Sequence, residues 1–183
     1  SRLSFIFQNT TFTSDVLYYY GDRVPNSATP KNTHFFVGPG FDYEVINTDV
    51  LLNRLAVDEN GKLVLPNGER FPILVLDKIE EINPHVLRKL QGFAEKGALI
   101  IGKKPKDVEV NKDFDSKVES LGIINELWTS KPTAEEITNR NEARIYDQIT
   151  PMEALRALKI SPDFNAVDDG KDLLDFIHYK NED

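Results

Sequence analysis

Short, nearly continuous hydrophobic runs alternate along the chain with polar segments of helical periodicity. The runs at residues 15–20, 71–76 and 98–101 are rich in β-branched and aromatic residues, which favours strands covered on both faces. Residues 43–46 and 144–146 are shorter candidates of the same type, and 173–179 is a candidate for a last strand. Residues 61–68 should form a strand that enters a turn and pairs with 71–76.

Helices are predicted between these strands. Asn47 can cap a helix through Leu55, and Asn83 with Pro84 opens one that ends at Gly97. A third runs from Phe114 to near Trp128, and the sequence TPME at 150–153 is a capping box that opens a fourth. Residues 23–40 are interpreted as an irregular, exposed loop, and the polar residues 129–141 as a connection. Alternating strands and helices predict an α/β fold with three layers, in which a mostly parallel, doubly wound sheet has helices on both faces.

Composition narrows the class of protein. With 183 residues, the chain is predicted to be a single domain, residues 1–183. The absence of cysteine excludes disulfides, zinc fingers and a cysteine nucleophile. A net charge of -8 argues against binding to nucleic acid, and no apolar run is long enough to span a membrane.

Several motifs that could carry chemistry are better explained by structure. Residues 97–104, GALIIGKK, nearly match a phosphate-binding loop, but Lys104 stands where a hydroxyl residue is needed and the interior resembles a buried strand. His34, His85 and His178 have no neighbour at metal-binding spacing. The adjacent acidic pairs at 80–81, 135–136 and 168–169 are typical of solvated surface. We therefore predict no catalytic residue, no metal and no cofactor in this chain.

The strongest candidate for a binding site is the loop after the first strand. Asp22, Arg23 and Asn26 would offer an acceptor, a forked donor and an amide, a set that suits hydroxyl-rich ligands. In open α/β sheets, ligands bind beyond the carboxyl ends of the strands. The alternative is a structural turn in which Asp22 pairs with Arg23. The three preceding tyrosines could likewise stack on a sugar, or form a strand core with one hydroxyl tethered.

Eight stretches, taken in order, resemble the α-L-rhamnosidases of glycoside hydrolase family 106. They are DVLYYYGDRVPN (15–26), GPGFDYEVINTD (38–49), GKLVLPNG (61–68), ILVL (73–76), VLRKL (86–90), GALIIGKKP (97–105), SPDF (161–164) and FIH (176–178). The chain departs from the family pattern at Tyr179, where relatives have arginine, and residues 129–148 show little resemblance.

The resemblance implies a piece of a long, multidomain, exported bacterial enzyme of the kind found in gut Bacteroidetes. The catalytic glutamates and calcium of such enzymes belong to a preceding barrel. This region resembles the flavodoxin-like, glutamine-amidotransferase-like domain that follows the barrel. The implied role is an accessory one with no glycosidase activity of its own. The implied partners are the barrel and other domains of the parent chain, with a homo-oligomer as a further expectation, and the loop at Asp22 could reach the rim of the barrel.

Two alternatives remain open. The chain could be a free-standing flavodoxin-like module that binds a carbohydrate or a small phosphorylated ligand. It could instead be a structural domain for oligomerisation. The exported location (periplasm or cell surface) is implied for the parent enzyme and is not encoded in these residues.

Overall fold

A parallel sheet forms the centre of the computed structural model, which describes residues 10–21, 37–109, 114–140, 142–163 and 179–181. Its elements follow in chain order: β1 (Thr10–Phe12), β2 (Val16–Tyr19), β3 (Tyr43–Ile46), α1 (Thr48–Asn53), β4 (Ala56–Val57), β5 (Leu63–Val64), β6 (Arg70–Phe71), β7 (Ile73–Leu76), β8 (Glu81–Ile82), α2 (Pro84–Glu95), β9 (Leu99–Gly102), β10 (Asp107–Val108), α3 (Phe114–Leu127), β11 (Trp128–Thr129), α4 (Ala134–Asn139), β12 (Ile145–Tyr146), α5 (Pro151–Ala157) and β13 (Tyr179–Asn181).

The central sheet has six strands in the order β11-β12-β9-β7-β2-β3, and every neighbouring pair is parallel. β4, β5 and β6 form a small antiparallel sheet, while β8 pairs with β10 and β1 pairs with β13. The prediction of a mixed α/β fold with a mostly parallel central sheet is confirmed. Helices cover both faces of this sheet.

Successive residues of the strands point to opposite faces and divide the core in two. On one face Leu17, Leu74 and Ile100 pack with residues of α1, α2 and α3. On the other face Val16, Ile73 and Leu99 join a second cluster that includes residues of α4 and α5. All four residues of β2 and all four of β7 are buried, which explains their nearly continuous hydrophobic sequences.

The predicted helix signals are confirmed at three starts. The Asn47 side chain accepts a hydrogen bond from the Val50 backbone, and Asn83 accepts one from His85. Thr150 and Glu153 form the predicted capping box of α5. The first helix ends at Asn53, however, before the predicted Leu55.

Three predictions about connections were wrong. The run at 71–76 is divided by Pro72, which has no N–H for the ladder, so Arg70 and Phe71 pair with β5 while Ile73–Leu76 enters the central sheet. The connection at 129–141, for which no element was predicted, includes Thr129 of β11 and the whole of α4, which begins at a capping box formed by Thr133 and Glu136. At the end of the loop predicted for 23–40, Val37, Gly38 and Gly40 are buried rather than exposed.

Two other predictions fall mainly outside the part of the chain that the structure describes. Residues 23–36 of the predicted loop and residues 173–178 of the predicted last strand lie there. Of the latter strand only Tyr179 is described, and it begins β13.

Candidate functional site

A polar cleft of about 350 Å³ lies at the edge of the central sheet. β11 is the edge strand, and β12 lies beside it. The two strands contribute Thr129 and Tyr146, α4 contributes three side chains, and the segment before β12 contributes two more. The lining residues are Thr129, Glu135, Glu136, Asn139, Glu142, Arg144 and Tyr146.

α4 forms one wall of the cleft and is held in place at both ends. The Thr133 backbone N–H donates to Glu136 Oε2 at 2.7 Å, and the Glu136 N–H donates to Thr133 Oγ1 at 3.2 Å. Ile137 anchors the helix in the second core cluster. Arg140 ends it with a φ of 46°, a left-handed conformation that carries an energetic cost for a residue other than glycine.

The capping box also fixes the charge of Glu136. The hydrogen bond from the Thr133 backbone, followed by the one from its hydroxyl, lowers the pKa of Glu136 below its usual value. This carboxylate therefore stays ionised and is turned toward the start of its own helix.

Arg144 is held from two directions. Its Nη1 donates to the backbone carbonyl of Glu126 at the end of α3. Its Nε and Nη2 donate to Glu142 Oε2 at 3.2 and 2.9 Å. The planar guanidinium is thus fixed between the end of a helix and a carboxylate, with three of its five N–H donors engaged.

Tyr146 closes the inner side of the cleft. It is only 4% exposed, and its hydroxyl donates to the Glu136 carbonyl over a long distance of 3.4 Å. Burial raises the pKa of the Tyr146 phenol, and the negative charge of Glu136 raises it further. The phenol remains protonated at neutral pH and can donate or accept a hydrogen bond.

Three other lining groups add hydrogen-bonding capacity to the cleft. Within the described ranges, no hydrogen bond engages the side chains of Thr129, Glu135 or Asn139. They present a hydroxyl, a carboxylate and an amide. No group of three His, Asp or Glu side chains that could hold a metal ion occurs among the residues described.

The predicted site residues Asp22, Arg23 and Asn26 lie outside the described residues. They follow Gly21, which lies at the carboxyl end of β2 beside a small depression of about 40 Å³ that Lys78 and Asn83 also line. The sequence did not predict the cleft at α4, because Glu135 and Glu136 were interpreted as solvated surface. The sequence TAEE at 133–136 was the available signal, because it is a capping box.

The other motifs considered in the sequence are the GALIIGKK stretch at 97–104 and the three histidines. Gly97 to Gly102 contains β9 rather than a phosphate loop, and Lys104 Nζ donates to Asn125 Oδ1 at 2.7 Å. His85 is exposed in the first turn of α2, whereas His34 and His178 lie outside the described residues.

Two of the three tyrosines form a strand core, as one of the two interpretations held, while Tyr20 follows β2 and is half-buried. Tyr18 and Tyr19 are each 4% exposed. The Tyr19 hydroxyl lies 2.7 Å from Thr48 Oγ1, which tethers it at the start of α1. Neither ring is available to stack on a sugar.

Together, these features define a mixed α/β fold with a mostly parallel central sheet and a polar cleft at the edge of that sheet. The family model described as alpha-L-rhamnosidase, glycoside hydrolase family 106, matches residues 1–183. This chain belongs to that family, as the sequence resemblance indicated.

Two similar proteins are both much longer than this chain. A Formosa agariphila protein with the provisional name beta-glucuronidase is 26% identical over 187 residues, covering 100% of this chain and 14% of its own length. The structure of a rhamnosidase from Novosphingobium sp. PP1Y matches with a TM-score of 0.69 and 22% identity, over 92% of this chain and 16% of the other. The chain therefore spans about one sixth or less of each of these relatives, and the structural match supports the fold alone.

No helix among the described residues is both long and apolar enough to cross a membrane.

Proposed function

We propose that this chain is a non-catalytic accessory domain of an α-L-rhamnosidase, and that it supports the catalytic barrel of an exported bacterial parent enzyme. The observation that carries the proposal is that the whole chain matches the family, although it corresponds to only a small part of each longer relative. The family model matches residues 1–183, yet the chain corresponds to only 14% and 16% of the two longer relatives. A segment of this size is one domain of a much longer architecture.

The order of the central strands supports a flavodoxin-like domain. Numbered along the chain within the central sheet, the first four strands are β2, β3, β7 and β9, and they lie in the order 2-1-3-4. This is the flavodoxin-like order over those strands. The sheet then differs, since β12 lies between β9 and β11. An amidotransferase-like fold fits the same arrangement, but the chain has no cysteine to serve as an amidotransferase nucleophile.

The electrostatics of the cleft support a role other than glycoside cleavage. A glycosidase general acid needs a raised pKa so that it carries a proton at working pH. The pKa of Glu136 is lowered by its capping bonds, and Glu142 is paired with Arg144 at 2.9 Å. The Glu136 carboxylate is thus stabilised in the ionised form, which is the wrong state for a general acid, and the Glu142 carboxylate is occupied by its ion pair with Arg144.

The proposal is tested by kinetics with an aryl α-L-rhamnoside. We expect the 183-residue chain to show no turnover, whereas the parent enzyme cleaves the substrate. Deleting this domain from the parent should lower the thermal midpoint of the barrel, because a supporting interface is lost. Turnover by the chain alone at about 1 s⁻¹ or faster, the lower end for typical enzymes, would contradict the proposal.

The loop that contains Asp22, Arg23 and Asn26 is proposed to contact the barrel. The test replaces all three by alanine in the parent enzyme and measures its thermal midpoint and KM. An effect on the midpoint alone indicates a supporting contact, and an effect on KM indicates a contact with substrate.

A further inference from the structure

The cleft beside α4 has no role in the function proposed above. It lies against the edge strand β11, and its volume of about 350 Å³ is at the lower end of the range for small-molecule sites. That size suits one or two sugar rings better than a peptide segment with bulky side chains. The chemistry of the lining residues decides which kind of molecule could occupy it.

An anionic ligand fits poorly. Three glutamates and one arginine line the cleft, so negative charge exceeds positive charge. The single guanidinium, of Arg144, already donates to Glu142 and to the Glu126 carbonyl. A carboxylate or phosphate entering the cleft would face uncompensated repulsion.

A cationic ligand is only weakly favoured. The carboxylate of Glu136 is turned into the capping box, and that of Glu142 is paired with Arg144. Glu135 is exposed, and a single exposed carboxylate contributes little to binding a cation.

The other lining groups are suited to forming hydrogen bonds with the hydroxyl groups of a ligand. Thr129 offers a hydroxyl, Asn139 offers an amide that both donates and accepts, and Glu135 accepts. Tyr146 also lines the cleft, and the long bond of 3.4 Å from its hydroxyl to the Glu136 carbonyl could be replaced by a better partner. A neutral ring with several hydroxyl groups can satisfy such a mixed set.

We propose that the cleft formed by α4, β11 and the Glu142–Arg144 pair is a binding site for a neutral sugar residue of a glycan. The proposal rests on the function proposed above only for the choice of sugars to test. It adds a glycan contact within the accessory domain, separate from the chemistry of the barrel.

The first experiment titrates the isotope-labelled chain with methyl α-L-rhamnoside, methyl α-D-galactoside and methyl α-D-glucoside, and follows backbone amide signals. We expect at least one of the neutral glycosides to shift the amides of Thr129 and Asn139, with a Kd in the millimolar range, which corresponds to about -4 kcal/mol. The Kd should change little at about 1 M salt, where charge interactions are screened within about 3 Å. Methyl β-D-glucuronide and a short arginine peptide serve as the anionic and cationic probes.

Two variants in the cleft and one control variant in another helix locate the site. Asn139→Ala should raise the Kd about tenfold, and Thr129→Val several-fold, because each removes a hydrogen-bonding group from the cleft. Asn53→Ala is the control: Asn53 is also an exposed last residue of a six-residue helix, and it lies in α1. The control should leave the Kd unchanged, and the amide spectra show whether each variant is folded.

Three results would overturn the proposal. One is that no neutral glycoside shifts the cleft signals at about 20 mM, well above a millimolar Kd. The second is that the arginine peptide binds the cleft in a salt-dependent way while the sugars do not, which would make the site a protein contact. The third is equal weakening by Asn139→Ala and Asn53→Ala. None of these results bears on the accessory function, which is decided by turnover and by the domain deletion.

Discussion

Replacing Gly102 by alanine tests how closely the two central strands of the sheet approach each other. Gly102 ends β9 and is in register with Leu76 of β7. A β-carbon at Gly102 would lie 2.6 Å from Leu76 Cβ and 3.0 Å from its carbonyl oxygen. Both atoms belong to the rigid base of the neighbouring residue, so a rotamer change of Leu76 does not relieve the overlap.

The cost has two parts. Gly102 has a φ of 158°, in a region that L residues rarely adopt. Holding alanine there costs about 1–3 kcal/mol, and forcing an additional carbon into a packed contact costs about 1–3 kcal/mol more. We therefore expect Gly102→Ala to lower the free energy of unfolding by about 2–6 kcal/mol, out of the 5–15 kcal/mol that is usual for a domain.

Two other glycines provide controls, because alanine at these positions should raise the free energy of unfolding. Gly92 lies inside α2 and Gly122 inside α3, and apart from the chain neighbours and the helix's own backbone no heavy atom of the described residues lies within 4 Å of a β-carbon built at either position. Alanine loses less backbone entropy than glycine on entering a helix. Gly92→Ala and Gly122→Ala should each raise the free energy of unfolding by about 0.5–1 kcal/mol.

The chain contains its own probe for the assay. Trp128 is the single tryptophan, is 6% exposed, and donates from Nε1 to the Gly102 carbonyl at 3.1 Å. Its fluorescence during urea unfolding reports on the surroundings of the substitution, and circular dichroism reports on the whole domain. A Gly102→Ala midpoint equal to that of the original chain, with the same m-value, would refute the close approach of β7 and β9.

Other predictions concern the helix caps and the pH dependence of stability. Thr133→Ala and Thr150→Ala should each lower the free energy of unfolding by about 1 kcal/mol in urea titrations, since each removes a capping bond. Serine at the same positions should retain most of this stability, because its hydroxyl can still accept the bond. The pKa values of Glu136 and Glu153 are lowered mainly by backbone N–H groups of their capping residues, so their contribution is present above the unfolded pKa and lost as pH falls through the folded one. Replacing both glutamates by glutamine should make the urea midpoint less sensitive to pH below about 4.5, and equal sensitivity would count against the capping boxes. Burial raises the pKa of the Tyr18 phenol, so stability is retained below about pH 10 and lost above it, where the unfolded chain ionises more readily; Tyr18→Phe should flatten this alkaline loss in thermal melts.

Much of the sheet was predictable because its strands are buried on both faces. The buried strands β2, β7 and β9 carry nearly continuous apolar sequences, and no competing helical period obscures them. The capping signals at Asn83 and Thr150 were equally local. Such elements are predictable because sequence neighbours alone determine them.

The cleft was not predictable in the same way. α4 has six residues and only one buried side chain, Ile137, so hydrophobic periodicity gives it almost no signal. The division of residues 70–76 at Pro72 depends on which strand pairs with each half. That pairing is set by tertiary structure and not by the local sequence. The site arises where α4, the edge strand and the Glu142–Arg144 pair meet, and sequence spacing does not indicate that these segments are neighbours.

The pairing of β1 with β13 has a consequence for the order of folding. Thr10 faces Asn181 and Phe12 faces Tyr179, so this ribbon joins segments separated by almost the whole chain. Closing so long a loop costs entropy before any contact compensates for it, and a lone two-stranded ribbon is only marginally stable. The ribbon should therefore form after the central sheet, and its amide hydrogens should exchange with solvent long before those of β7. We therefore expect β1 and β13 to be released together, while the core between them stays folded.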